Sequence, residues 1–339
     1  MHESAINLLR PLASLKLTLL GIVALLLGVL LAYFNQQHSS LYIVPPLATL
    51  ALNLLAAIVF NPRIRQNSGL LMFHICLLMI AILTVLSQLT SMKGRVEVTQ
   101  GSAFDASSIT VTQQGTWHRF SRLAQVEFVQ RDIEVDYLQG LRRGQTRSQV
   151  EYQGREITVG DNVPLKGSGY RFYTTSNKGY AAVVNWYTKD GRAERGAIHF
   201  PSYPLYDWKQ TNQWQAPSGE ALAFSLTVDT ALDKNRDWML RRSDSAYIEI
   251  TLPDNRVHML RPGDRIELKN GVLEFEALRM WMGYKVFYDP FLAWFFAVAL
   301  VGVAGIGWHY YLKLASPVKQ RAPRKEQTGR GRAVTSLQS

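Results

Sequence analysis

The sequence predicts a membrane protein with four transmembrane α-helices, three N-terminal and one C-terminal, and a large all-β external domain between the third and the fourth. Three observations predict it. No Lys, Arg, Asp or Glu occurs between Leu17 and Pro62, a second uncharged stretch runs from Pro290 to Leu312, and the block from Lys93 to Tyr288 is built of short β-branched and aromatic runs. Crossing the hydrocarbon takes about 20 mostly apolar residues as a helix. In isolated segments only a helix satisfies every backbone polar group inside lipid.

The spans are expected at about 17–34, 41–60, 69–90 and 289–313, which divides the chain into a membrane region 1–92, an external domain 93–288, the fourth span and a basic tail 314–339 expected to be disordered. The first span is too long and leucine-rich for a signal-peptide core. It ends in Tyr33-Phe34-Asn35-Gln36 with no small-residue cleavage site, so it is read as retained. Basic residues mark the side on which each end lies. Arg10 and Lys16 precede the first span, Arg63 and Arg65 separate the second and third, and seven Lys or Arg from Lys313 to Arg332 follow the fourth. Both termini are therefore expected in the cytoplasm and the large domain outside, periplasmic in a Gram-negative cell.

The formal charge of +11 does not indicate nucleic acid. Eleven of the 37 Lys and Arg lie in the termini and the loop between the second and third spans, against only Glu3 and Glu326 there. What remains is close to neutral, which fits membrane topology and lipid headgroups and gives no basic stripe for a nucleic acid. The single cysteine, Cys76, lies inside the third span. With no CxxC and no CxxCH, thiol exchange and covalent haem attachment to this chain are both excluded.

Within the external block, Arg95–Val98, Ile109–Thr112, Ala181–Tyr187 and Tyr247–Leu252 read as strands, split by turn signals at Lys189-Asp-Gly-Arg and Pro253-Asp-Asn. A sandwich or open barrel is the expected class. Gly160-Asp-Asn-Val-Pro-Leu-Lys and Gly263-Asp-Arg-Ile-Glu-Leu-Lys echo each other, each followed by a Gly-containing turn, and predict two similar β units. Pro201 to Gly219, with Trp208 and Trp214, reads as a long surface loop.

His74 is the sharpest functional candidate, because an ionisable side chain within a membrane helix usually faces protein or a cavity and serves a pathway or a ligand. Asn67, Ala81 and Gln88 stand at heptad steps from it, a stripe expected to pack on another helix with His74 in the contact. An imidazole that only hydrogen-bonds between helices is the equal alternative. His309 is the weaker candidate. At about 1.5 Å per residue it and His74 are expected at similar depth, roughly 6 and 8 Å from the same end. Trp308-His-Tyr-Tyr311 also reads as an interfacial aromatic belt, which is the preferred reading. His38, His118, His199 and His258 form no metal-type cluster and are read as surface or core residues. No hydrolase, metalloprotease or phosphate-loop motif is present, and Asp132, Glu134 and Asp136 alternate at strand spacing as a solvated face. No catalytic residue is assigned.

Three segments carry a resemblance. Leu12-Ala-Ser-Leu-Lys-Leu-Thr-Leu resembles the entry to the first span of the ResB-like (CcsB-type) cytochrome c biogenesis family. Phe73-His-Ile-Cys-Leu-Leu, with Lys93-Gly-Arg-Val-Glu-Val and Gly101 beyond it, resembles that family's histidine-bearing third span and its sequel, and Gly283-Tyr-Lys-Val-Phe-Tyr-Asp-Pro resembles its entry to the fourth. Phe291 stands where the family often has Gly. The resemblance implies a bacterial inner-membrane subunit of the System II pathway, which moves haem b across the membrane and presents it for attachment to apocytochrome c. It implies a CcsA-type haem-handling partner, and a non-catalytic or co-catalytic place in the haem lyase complex. It also implies that His74 is an axial ligand to haem iron, the only metal expected. The alternative is a membrane-anchored extracytoplasmic binding or sensor module with no haem role.

Overall fold

The computed structural model describes residues 10–204, 209–217, 219–228, 234–243 and 245–315. Among these described residues four helices are long and apolar enough to cross a membrane: α1 (Leu15–Phe34), α2 (Ser39–Phe60), α3 (Ser68–Thr90) and α4 (Leu292–Ala315). Each begins or ends within three residues of the span expected from the sequence. Residues 316–339 of the predicted tail, and Trp208 of the predicted loop, lie outside the described residues.

The helices pack in chain order, α1 on α2, α2 on α3 and α3 on α4, without a substantial α1–α4 contact, so they form an open row and not a closed bundle. Large apolar side chains such as Leu19, Leu26, Phe296 and Leu300 remain exposed along the outer helices, as a bilayer requires. Buried Asn53 of α2 fixes the first pair: its amide nitrogen donates to Leu12 O and Ser14 O, and its oxygen accepts from Thr18 Oγ1 at 2.7 Å. Both amide protons and the oxygen of a residue that lipid would leave unpaired thereby find partners.

Among the described residues fifteen strands follow α3. In chain order they are β1 (Met92–Thr99), β2 (Thr110–Gln114), β3 (Phe128–Leu138), β4 (Arg142–Tyr152), β5 (Arg155–Val159), β6 (Leu165–Gly167), β7 (Tyr170–Thr188) and β8 (Ala193–His199). Then come β9 (Thr211–Gln215), β10 (Ala221–Val228), β11 (Trp238–Leu240), β12 (Ala246–Thr251), β13 (Val257–Leu260), β14 (Arg265–Leu268) and β15 (Gly271–Tyr288). They make three antiparallel sheets around one hydrophobic core. The largest has the order β2-β1-β15-β7-β6, with β14 on β15 and β8 on β7; the others run β11-β3-β4-β5 and β13-β12-β10-β9.

The Gly-Asp echo proves to be two hairpins, β6–β7 and β14–β15, whose long second strands pair with each other at the centre of the large sheet. The repeat is thus confined to one sheet and does not divide the domain in two. Lys178 to Val184 run buried without alternation, so both faces of β7 are covered there. Phe128 of β3 packs on Phe172 and Tyr284 near the membrane, and Trp214 of β9 packs on Trp186 at the far end. The expected loop 201–219 therefore contains a strand. Its proline-rich flanks read as loop, while Trp214 anchors β9 on the core through Trp186 and Phe224.

Candidate functional site

The membrane end of the large sheet sets the position of both intramembrane histidines. Helix α3 runs into β1 through Ser91 alone, and β15 runs into α4 through Asp289, Pro290 and Phe291. Strands β1 and β15 pair in the register Met92↔Tyr288, so α3 and α4 leave the sheet side by side. Ser87 Oγ donates to Asp289 Oδ2 at 2.9 Å and clamps the two helix ends.

Residues 115–118 close the end of α3. Trp117 N donates to Leu89 O, Gly115 N to Ser91 O, and His118 Nδ1 to Thr90 O at 2.9 Å. These are carbonyls that a helix leaves without an internal partner. Tyr170 OH donates to His118 Nε2 at 3.0 Å, and burial holds the His118 ring below its ordinary pKa. A Cβ on Gly115 would stand 2.3 Å from the Leu89 carbonyl, so only glycine fits this approach.

The α3–α4 seam is made by small residues. A Cβ on Gly69 would stand 2.6 Å from His309 N and 2.7 Å from Gly305 O, one on Gly305 would meet Met72, and one on Gly302 would lie 3.1 Å from the Cβ of Cys76. Close backbone approach of this kind is how helices associate in lipid, where apolar burial supplies little drive. Cys76 is buried in that seam as a packing residue.

His309 sits at the level of Gly69, five residues before His74 on α3, or about 7 Å along the helix axis. The similar depth expected from the sequence is therefore corrected by more than one turn, because α3 and α4 pair from Gly69 upward. His309 Nδ1 bonds Asn67 Oδ1 at 2.9 Å. The same oxygen accepts from Leu70 N as the α3 N-cap, so it is the amide oxygen and His309 Nδ1 is the donor.

His74 does not enter the seam. The residues of α3 that meet α4 are Gly69, Met72, Phe73 and Cys76, and at about 100° per residue His74 is turned well away from them. It is half-buried, with its ring edge-on to Phe73 at 5.7 Å. Its Nδ1 lies 2.7 Å from Leu70 O. A carbonyl only accepts, so Nδ1 carries the proton and a neutral ring presents Nε2 as a free lone pair. Among the described residues neither His74 nor His309 has a hydrogen bond at Nε2. The structure does not bring the two rings into one site.

The predicted heptad stripe divides accordingly. Asn67 turns to His309 on α4, Gln88 approaches Gln113 of β2, and His74 bonds its own helix. An N-cap residue has no helical dihedrals, so heptad spacing does not govern where Asn67 points. Sequence reasoning missed the pairing of Asn67 with His309 and the glycine seam. The small residues Gly302 and Gly305 were the available signal for the second.

His38 is exposed and bonds Asn35, His118 belongs to the core, and His199 stacks on Trp281 while bonding Glu97 and Thr99. His258 lies on β13. Glu134 and Asp136 pair with Arg147 across β3 and β4 as an outward-facing ion pair. Among the described residues no group of three or more His, Cys, Asp or Glu converges as a metal site. Buried Lys178 donates to Thr146 Oγ1 at 2.8 Å, and burial, reinforced by Arg143, pulls its pKa down to about 7 against an opposing effect of Asp161.

The fold and the site define a multi-pass membrane protein in which a large antiparallel β domain is inserted between the third and fourth of four apolar helices. The model of the ResB-like family matches residues 65–314, from just before α3 to the end of α4, and the chain belongs to that family. Membership places it in cytochrome c biogenesis in general terms. No curated protein matches the chain.

Proposed function

We propose that the chain is the membrane subunit of a System II type complex that helps move haem b across the bacterial inner membrane and present it for attachment to apocytochrome c. The observation that carries this reading is the hydrogen bond from His74 Nδ1 to Leu70 O. Metal-bound histidines commonly hold their free nitrogen in this way, with the other nitrogen donating to a backbone carbonyl. The residues present thus fit an axial ligand at His74 Nε2. Haem is the cargo; the chain supplies one nitrogen, a fixed ring orientation and the apolar surroundings of a membrane helix.

The second axial nitrogen is assigned to a CcsA-type partner. His309 is committed to Asn67 more than a turn away from His74, and the open row of helices leaves lateral surface for another membrane protein. His309 acts as a packing residue in this reading. Both termini face the cytoplasm and the β domain faces the periplasm, supported by the basic residues gathered in the two termini and in the loop between the second and third spans, against an uncharged connection between the first and second.

Absorption spectra of the detergent-purified chain, alone and with its co-purified partner, test the proposal. A haem b spectrum that strengthens with the partner and falls in His74→Ala is expected. No haem in either preparation would favour the anchored sensor module instead. Reporters fused after residue 150 are expected to behave as exported and those after residue 319 as cytoplasmic; the reverse pattern would overturn the orientation.

A further inference from the structure

The register of the large sheet gathers cations on one outward face at its membrane end. Across β2, β1, β15 and β7 one row reads Gln113, Lys93, Phe287, Arg171, and in the next row Arg95 stands directly opposite Lys285. Like charges facing each other across a ladder are destabilising unless something compensates them. Among the described residues no carboxylate does so: Lys285 Nζ lies over the Phe287 ring at 4.9 Å from its centroid, but no ion pair involves Lys93, Arg95, Arg171 or Lys285. The nearest carboxylates are engaged elsewhere, Asp289 by Ser87 and Phe291 N, and Glu97 by Asn177 and His199.

Three of these cations open onto a cavity of about 520 Å³. Lys93, Arg171 and Lys285 line it together with Gln113, Phe287 and one carboxylate, Asp289, which Ser87 Oγ and Phe291 N already hold, so the cations outnumber the anion by three to one; Leu292, the first residue of α4, lines its membrane side. The site is therefore cationic towards water and apolar towards the bilayer, at the level where α3 and α4 leave the sheet. That polarity matches an amphiphile with an anionic head.

We propose that this cavity binds the phosphate headgroup of an anionic phospholipid in the leaflet that borders the β domain. Arg171 and Lys285 hold the phosphate, and Phe287 and Leu292 receive the first methylenes of the acyl chains. Bound lipid would supply the charge that the Arg95–Lys285 pair lacks, and would fix the sheet's height above the membrane. The proposal is independent of any haem role.

The test uses the full chain reconstituted in nanodiscs of phosphatidylglycerol and phosphatidylcholine in equal parts, with retained lipid counted by native mass spectrometry. The wild type is expected to retain phosphatidylglycerol preferentially. Each cation removed should cost about fivefold in that preference, so Arg171→Gln with Lys285→Gln should lower it by about twenty-five-fold. The exchange Arg171→Lys with Lys285→Arg should keep most of it, as should Arg155→Gln on β5, far from the cavity. An unchanged preference in the double glutamine variant would overturn the site, as would an equal fall in Arg155→Gln. Displacement of the lipid by equimolar glycerol phosphate would show that a free phosphate suffices. Loss of co-purified haem from the glutamine variant, with lipid retention intact, would reassign the cavity to haem carboxylates.

Discussion

Asn67 Oδ1 accepts a 2.9 Å hydrogen bond from His309 Nδ1 across 242 residues of sequence, while the same atom caps α3 through Leu70 N. One oxygen thus ties the start of the third membrane helix to the end of the fourth. Asn67→Ala should cost about 0.5–2 kcal/mol for the cap and about 0.6 kcal/mol for the interhelical bond. The melting temperature of the detergent-solubilised protein should fall. Asn67→Asp keeps an acceptor for both donors, and a carboxylate at a helix N-terminus is favourable. It should recover most of the loss. An aspartate variant as unstable as the alanine variant would contradict the pairing.

The glycine seam makes a second prediction. A Cβ at Gly302 would lie 3.1 Å from the Cβ of Cys76, a few tenths of an ångström inside the usual disulfide range of about 3.5–4.5 Å. Gly302→Cys should therefore cross-link to Cys76 under mild oxidation, visible as a mobility shift on non-reducing gels. Gly307→Cys, where nothing lies within 4 Å, should not. Cys76→Ala alone should leave cytochrome maturation intact, because the thiol only packs. Loss of maturation with normal protein levels would show redox chemistry at this residue.

The membrane helices were legible because lipid allows one solution to the backbone hydrogen-bonding problem, so an uncharged stretch and a helix are nearly the same statement. The Gly-Asp echo was legible because turn chemistry is local. What the sequence hid is non-local. Whether the two echoed hairpins build separate units or meet in one sheet depends on β7 pairing with β15 a hundred residues away, and β9 hides in a Pro- and Trp-rich segment because its anchor, Trp214, is identified only by contact with Trp186 and Phe224. At the candidate site His74 itself could be read from its place in an apolar helix. Its Nδ1–Leu70 bond, which fixes the free nitrogen, required coordinates, as did the cationic row, whose members come from three strands.

Buried Lys178 predicts a pH dependence. Its pKa is about 7 in the fold, against the model-compound value of 10.5, chiefly through burial. Between those two values the unfolded chain holds the proton that the folded chain has released, so the unfolded state binds more protons and stability rises with pH. Below pH 7 both states are protonated and the full penalty of the buried charge persists. The gain through the window approaches about 1.4 kcal/mol per pH unit. Lys178→Met removes this slope. Melting curves between pH 7 and 9 should climb for the wild type relative to the variant; parallel profiles would show that the amine is charged and solvated in the fold.

His74 separates a ligand from a packing residue. If Nε2 binds haem iron, His74→Ala removes the nitrogen and leaves space beside the iron that added imidazole can fill. Haem content and cytochrome c maturation should then fall together and recover in part with imidazole. Among the described residues the one hydrogen bond of His74 is to its own helix at Leu70 O, so no interhelical hydrogen bond is lost by substitution, and even such a bond contributes only about 0.6 to 2 kcal/mol in membranes. His74→Asn can still donate an amide proton to Leu70 O but is a poor haem ligand. It should therefore fold and insert normally while losing haem as the alanine variant does. Normal haem loading and maturation in the asparagine variant would sink the ligand assignment, whereas haem lost from a stable, correctly inserted protein and partly restored by imidazole would assign the loss to the missing nitrogen ligand.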